Sequence, residues 1–240
     1  MNAEEMKIMK TEITRFMMAY KFGLDEVNTK IDILKQEFEY IHEYNPIEHV
    51  ESRLKTFESI LDKINRKNYE LSLASIKENV QDIAGIRITC SFISDIYKVC
   101  EMLQNQKDIK TLAVKDYIRI PKANGYQSLH LVLQVPVFMS DRVENVCIEV
   151  QIRTIAMDFW ASLEHKIFYK YNRAVPENLL KELKDAAESA AQLDQKMERI
   201  HLEMNKVKAA VAEEQDPSEW YIENDRLSVP LSYFSSLING

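Results

Sequence analysis

Apolar residues in this chain change period twice, and that change constrains the fold more than any other feature. Near the start, Ile13, Met17, Tyr20, Leu24, Val27, Ile31, Leu34, Phe38 and Ile41 recur at steps of four and three, the mark of one apolar stripe along a helix. A helix is predicted over residues 4–43, with Gly23 a point where it bends or breaks. Near the end, Leu179, Leu183, Ala186, Ala190, Leu193, Met197, Ile200, Met204, Val207 and Val211 keep the same alternation, so a second long helix is expected. Between them the period falls to two. From Val146 to Thr154, Ile148, Val150 and Ile152 fall on one face of a strand and Glu149, Gln151 and Arg153 on the other. With only four glycines and six prolines among 240 residues, little chain remains for long loops, and helices should dominate.

The middle reads as a small sheet with helices around it. A helix is expected from Asn45-Pro46-Ile47-Glu48 to about Arg66: Asn45 can cap, Pro46 suits a first turn, and Glu48 completes a box-like pattern. Strands are predicted at Ile83–Phe92, 109–120, Ser128–Val137 and Val143–Arg153, the last two joined across Met139–Arg142. Ser94-Asp95 opens a helix over Ile96–Asn105, and Thr154 can cap another over Ile155–Tyr171. The fold class is therefore α+β: a mixed sheet with flanking helices. The expected division is an N-terminal helical segment at 1–44, a core at 45–175, a C-terminal packing or oligomerisation helix at 176–213, and a tail at 214–240 that is disordered or docks elsewhere.

Composition narrows the function. A net charge of −7 argues against a dedicated duplex nucleic-acid binder, although a local basic cleft is compatible with it. The acidic start, Met1-Asn2-Ala3-Glu4-Glu5, is not a signal peptide, and no apolar run is long enough to span a membrane. Three cysteines at unrelated spacings read as reduced thiols with no zinc pattern. A cytoplasmic location is expected.

Four constellations are candidates for chemistry, and each has an ordinary structural alternative. Asp82, before a strand, can hold a divalent cation, and Arg87 can lie over a flat ring or pair with phosphate; alternatively Asp82 ends a helix and Arg87 decorates a strand. Lys55, Ser59 and Lys63 share one face at helical spacing and can line a polyphosphate, or form a solvated basic face. Arg53 falls on the flank of the apolar stripe of that helix and calls for a carboxylate or a planar partner. Lys115, Lys122, Tyr126 and His130 surround an Asn124-Gly125 turn; the ring can stack on a base or simply pack. Glu149, Gln151 and Arg153 form a polar strand face that must meet a ligand, an ionic partner or water. His165 reads as a structural histidine rather than a base.

Asp82-x-x-Gly85-x-Arg87, Lys115-Asp116-Tyr117-Ile118-x-x-Pro121-Lys122-x-Asn124-Gly125-Tyr126-Gln127-Ser128-x-His130 and Glu149-x-Gln151-Ile152-Arg153-Thr154 stand in this order. Together they resemble the RelA/SpoT-type (p)ppGpp synthetase domain, from about residue 44 to residue 205. The short length and flanking helices are similar to the small alarmone synthetases, most nearly the RelQ type. The resemblance implies a nucleotidyltransferase-like fold and transfer of the β,γ-pyrophosphate of ATP to the ribose 3′-hydroxyl of GDP or GTP. It implies Asp82 and Glu149 as the Mg²⁺-site carboxylates, Glu149 also as the acceptor of the hydroxyl proton. It places Arg53 and Arg87 around adenine, Lys55, Ser59 and Lys63 along the ATP phosphates, and Tyr126 on guanine. Lys115, Lys122, His130 and Gln151 would contact the acceptor nucleotide, while Arg153 matches without an assigned task. A homotetramer is implied, with alarmone or single-stranded RNA as possible regulators. No histidine is followed by Asp, so the hydrolase motif of longer relatives is missing and synthesis alone is expected. Two competing readings are a weakly active nucleotide or RNA binder, which has no need of two metal-site carboxylates, and a nucleotidyl-transferring enzyme, for which a Gly-Ser with a neighbouring Asp-x-Asp is missing.

Overall fold

The structure, a computed structural model, describes residues 2–42, 44–168, 175–212, 219–222 and 225–228. A helix, α1 (Ala3–Ile41), opens the chain. Its first turn is closed by a capping box: Asn2 Oδ1 accepts from the Glu5 amide at 2.8 Å, and a Glu5 oxygen accepts from the Asn2 amide at 3.0 Å. The helix runs unbroken through Gly23. The glycine serves close approach, since a Cβ there would lie 2.3 Å from Val146 Cγ2 on the sheet. Tyr20, Leu24, Val27, Ile31 and Phe38 bury the predicted stripe against the sheet.

The expected helix from Asn45 does not form. Residues Ile47–Leu54 are strand β1, and helix α2 begins only at Phe57 and ends at Lys67. Ile47 opposes Cys90 and His49 opposes Thr89, so one extra residue bulges out between them. The bulge puts Ile47 and Val50, three apart, on the same face, and Leu54 follows at a step of four. A bulged strand thus copies the helical spacing. Asn45 does turn the chain, but its side chain accepts from the Ile47 amide at 2.9 Å to start a strand. Thr56 is the actual cap of α2, accepting from the Ser59 amide at 3.3 Å.

A short helix over Leu73–Asn79 is an addition to the expected elements, and those after it, to residue 212, follow the expected order with shifted ends. Helix α3 (Leu73–Asn79) leads to strand β2 (Ala84–Cys90), helix α4 (Ile93–Gln104) and strands β3 (Lys110–Asp116), β4 (Leu129–Phe138) and β5 (Val143–Thr154). Strand β3 stops at Asp116 because its carboxylate accepts from the amides of Ile118 and Arg119 at 2.9 and 3.0 Å, turning the chain. Thr154 caps helix α5 (Ile155–Phe168) as predicted, accepting from the Met157 amide at 3.1 Å; the rest of that expected helix, to Tyr171, lies outside the described residues. Helix α6 spans Glu177–Ala212. In the tail, β6 (Glu219–Ile222) pairs with β7 (Asp225–Ser228), and its remainder lies outside the described residues.

The main sheet has the order β1-β2-β5-β4-β3, and only the central β2–β5 pair is parallel. Ile86, Ile88, Ile148, Val150 and Ile152 are buried on one face, each contributing about 1.5–3 kcal/mol of apolar burial. The opposite face carries the polar residues. One row crosses all five strands through Glu51, Arg87, Gln151, His130 and Lys115, and the next holds Arg53, Gly85 and Glu149. Helix α6 is less fully used: Ala187 is buried, while Leu193, Met197, Ile200, Met204 and Val207 remain exposed.

Candidate active site

Alternation within strands chooses the side chains, and sheet register brings them together. An open cleft on the polar face is lined by Arg53, Asp82, Gly85, Arg87, Glu149 and Gln151. Asp82 sits just before β2, and Glu149 is the register partner of Gly85 on the adjacent parallel strand. A Cβ at Gly85 would meet nothing of the protein closer than the Glu149 carbonyl oxygen, at 3.7 Å. The protein would tolerate a side chain here, so the glycine leaves floor space for a ligand between the two carboxylates.

Asp82 is clamped by two ammonium groups. Lys55 Nζ lies 2.5 Å from Oδ2 and Lys63 Nζ 2.6 Å from Oδ1. Burial acts to raise the pKa of this carboxyl, but hydrogen bonds and charge from Lys55 and Lys63 outweigh it and hold it below the ordinary value. Lys55 does not share a helical face with Ser59 and Lys63. It follows β1, where its amide donates to the Ile83 carbonyl at 2.8 Å, and it reaches Asp82 from the opposite side to Lys63. Ser59 is exposed in the first turn of α2, its hydroxyl 2.9 Å from that of Thr56, and does not line the cleft. Arg53 is on the exposed face of β1, not on the flank of a helix.

Glu149 is the second anchored carboxylate. Gln151 Nε2 donates to Oε2 at 2.9 Å, and His130 Nδ1 lies 3.5 Å from Oε1. Burial raises its pKa, as does the nearby Asp82 charge, yet the His130 and Gln151 contacts bring it below the ordinary value. His130 Nε2 is 2.8 Å from the Tyr126 hydroxyl. Tyr126, Tyr117 and His130 form an edge-to-face cluster, with centroids 5.2–6.2 Å apart. Lys122 Nζ stands 4.6 Å from the centroids of both tyrosines. Lys115 is exposed on the edge strand, opposite His130 in register. The Asn124-Gly125 turn is fixed from behind: Gly125 has φ 89°, and a Cβ there would come within 2.5 Å of Ala187 Cβ on α6.

Three groups were not identified from sequence. Glu51 pairs with Arg87 at 3.4 Å, Asp158 of α5 lies 3.5 Å from Arg87 and 3.2 Å from Arg153, and Tyr117 contacts His130. Glu51 would have stood out had β1 been read as a strand, because it then shares a face with Arg53. Asp158 carries no local signal, since its partners come from β2 and β5.

The two cleft carboxylates suit a magnesium ion, which takes one or two protein carboxylates and completes its shell with phosphate and water. Among the described residues no cluster of three or more His, Cys, Asp or Glu side chains suggests an all-protein metal cage.

The sequence pattern described as "Region found in RelA / SpoT proteins" matches residues 52–174. The chain belongs to the RelA/SpoT family. It is 52% identical over 202 residues to the GTP pyrophosphokinase YwaC of Bacillus subtilis, covering 84% of this chain and 96% of that protein. The crystal structure of small alarmone synthetase 2 from B. subtilis is similar at 52% identity and TM-score 0.73, covering 80% of this chain and 99% of that one. Small alarmone synthetase 1 from the same organism, bound to its product pppGpp, is similar at 40% identity and TM-score 0.74, covering 80% and 97%. The α+β fold with long terminal helices is therefore that of this family's small synthetases. No helix among the described residues is long and apolar enough to cross a membrane.

Proposed function

We propose that this protein is a GTP pyrophosphokinase, moving the β,γ-pyrophosphate of ATP to the ribose 3′-hydroxyl of GDP or GTP to make ppGpp or pppGpp. The observation that carries the reading is the placement of Asp82 and Glu149 in one cleft, with cations on the Asp82 side and an aromatic cluster on the Glu149 side. Such a transfer needs alignment and charge neutralisation more than covalent chemistry.

On the donor side, Arg53 and Arg87 are diagonal neighbours across β1 and β2. Diagonal positions are about 7–8 Å apart, a spacing that admits one flat base between two guanidinium planes. Lys55 and Lys63 would exchange part of their contact with Asp82 for phosphate oxygens. Mg²⁺ held by Asp82 and Glu149 would neutralise polyphosphate charge. Ser59, off the cleft, would at most meet the outer end of the phosphates.

On the acceptor side, guanine would lie on Tyr126, with Lys122, His130, Gln151 and, further out, Lys115 around the nucleotide. Glu149 would orient the 3′-hydroxyl and accept its proton. Its depressed pKa keeps it ionised at neutral pH and makes it a weak base. It would take the proton as the bond from the 3′-oxygen to the β-phosphorus forms and the bond from that phosphorus to the departing AMP breaks. The exposed apolar stripe of α6 supports association into a homotetramer of RelQ-like type. None of the five histidines precedes an Asp, which supports synthesis without hydrolysis.

The test is to incubate the protein with ATP, Mg²⁺ and GMP, GDP or GTP and separate the products by anion exchange. A 3′-pyrophosphorylated guanosine nucleotide is expected; its absence with every acceptor overturns the reading. Light scattering on the same sample should give about four times the 28.1 kDa chain mass, and a monomer would remove the tetramer.

A further inference from the structure

Arg153 is only 3% exposed, at the end of β5. Taking a guanidinium out of water is costly unless its donors are met, and a strand interior has no need of one. Its contacts are specific. Nη1 donates to Asp158 Oδ1 at 3.2 Å; Nη2 donates to Gln151 Oε1 at 2.6 Å and to the Tyr126 hydroxyl at 3.3 Å. The guanidinium carbon lies 5.6 Å from the Tyr126 ring centroid. Nε has no partner among the described residues.

Arginine can only donate, and that property sets the direction of the first of two contact chains. In the first, Arg153 draws the Gln151 oxygen toward itself, so the amide nitrogen faces Glu149 Oε2 at 2.9 Å. A reversed amide would present oxygen to a carboxylate. In the second, the Tyr126 oxygen accepts from Arg153 and lies 2.8 Å from His130 Nε2, which holds the imidazole with Nδ1 3.5 Å from Glu149 Oε1. Both chains reach Glu149, one at each oxygen. Asp158 holds the origin of both and also lies 3.5 Å from Arg87 on the donor side.

We propose that Arg153 is a positioning residue: anchored by Asp158, it fixes the orientation of Gln151 and, through the Tyr126 hydroxyl, of His130, and so aims Glu149 at the acceptor hydroxyl.

The proposal rests on the pyrophosphoryl-transfer reading, and the experiment separates the two. Arg153→Lys keeps the charge but loses the fork that serves three partners. With its melting temperature close to wild type, kcat/KM for the guanine acceptor should fall about 10–100-fold, while KM for ATP stays within about twofold. Tyr126→Phe keeps the ring and cuts one chain only, so kcat/KM for the acceptor should fall less, again with KM for ATP unchanged; it also serves if Arg153→Lys does not fold. An equal loss toward ATP and acceptor in both variants, or no loss, overturns the proposal. If the wild-type protein forms no product, the transfer reading fails by itself. Calorimetry with GDP then decides the role of Arg153: about tenfold weaker GDP binding with ATP binding unchanged supports positioning of the acceptor side, and equal binding overturns it.

Discussion

Two pairs of sequestered carboxylates in this protein have opposite electrostatics. Asp82 and Glu149, on the polar face of the sheet, feel burial that raises their pKa but end below the ordinary value, because Lys55, Lys63, His130 and Gln151 surround them. Asp95, in the first turn of α4, and Asp194, on α6 against the Thr154 cap of α5, are raised above it: burial dominates, and hydrogen bonds from Tyr44 and Thr154 do not cancel it. Tyr44 donates to Asp95 at 2.5 Å and Thr154 to Asp194 at 2.5 Å. The difference lies in the partners. Hydroxyl partners fix a helix end and leave a carboxylate that holds its proton more tightly than usual. Cationic and amide partners keep a carboxylate ionised, and they can be shared with an incoming polyphosphate. Depth alone does not separate the cleft pair from the helix-end pair.

The largest expected effect is Glu149→Gln. Removal of the proton acceptor should cost at least 10²–10⁴-fold in kcat, with nucleotide binding by calorimetry largely retained. Loss of folding instead would make Glu149 a structural strand residue, like the other pair. A smaller effect concerns acid stability. A carboxylate with a depressed folded pKa stabilises the fold above its unfolded pKa and loses that contribution as pH falls through the folded value. From ordinary values of 4.5 and 3.8, the Glu149 and Asp82 contributions should fade below pH about 4.5. Asp95 and Asp194 act in the reverse sense: the folded state gains stability as pH falls through their raised values, until the unfolded chain is protonated too. Melting curves should therefore show a shallower acid loss in Asp82→Asn than in wild type; an unchanged slope would place the depression of Asp82 in doubt. The smallest effect is Asp194→Asn. The amide oxygen can still accept from Thr154 while the buried charge is gone, so the melting temperature at pH 7 should hold or rise slightly. A clear drop would mean that the charge itself secures α5.

Much of this arrangement was legible in the sequence. The period-two run from Val146 to Thr154 placed Glu149, Gln151 and Arg153 on one face, and the structure puts that face over the cleft. The four–three stripes gave α1 and α6. The region around Arg53, Lys55 and Ser59 departs from the expected helix because Asn45, a residue type that caps helices, here turns the chain into β1 by accepting from the Ile47 amide. A local cap signal cannot separate those cases. Gly23 was similar: along the chain it signals weakness in a helix, but against Val146 it permits contact between helix and sheet.

Local patterning, encoded within a dozen residues, determined most element types, though not β1, and the polar face of β5. The tertiary structure alone decided that Lys55 and Lys63 converge on Asp82, that Gly85 opens the floor beside Glu149, and that Asp158 joins Arg87 to Arg153. Those contacts depend on register between segments far apart in the chain, and register is settled by the packing of the whole sheet against its helices.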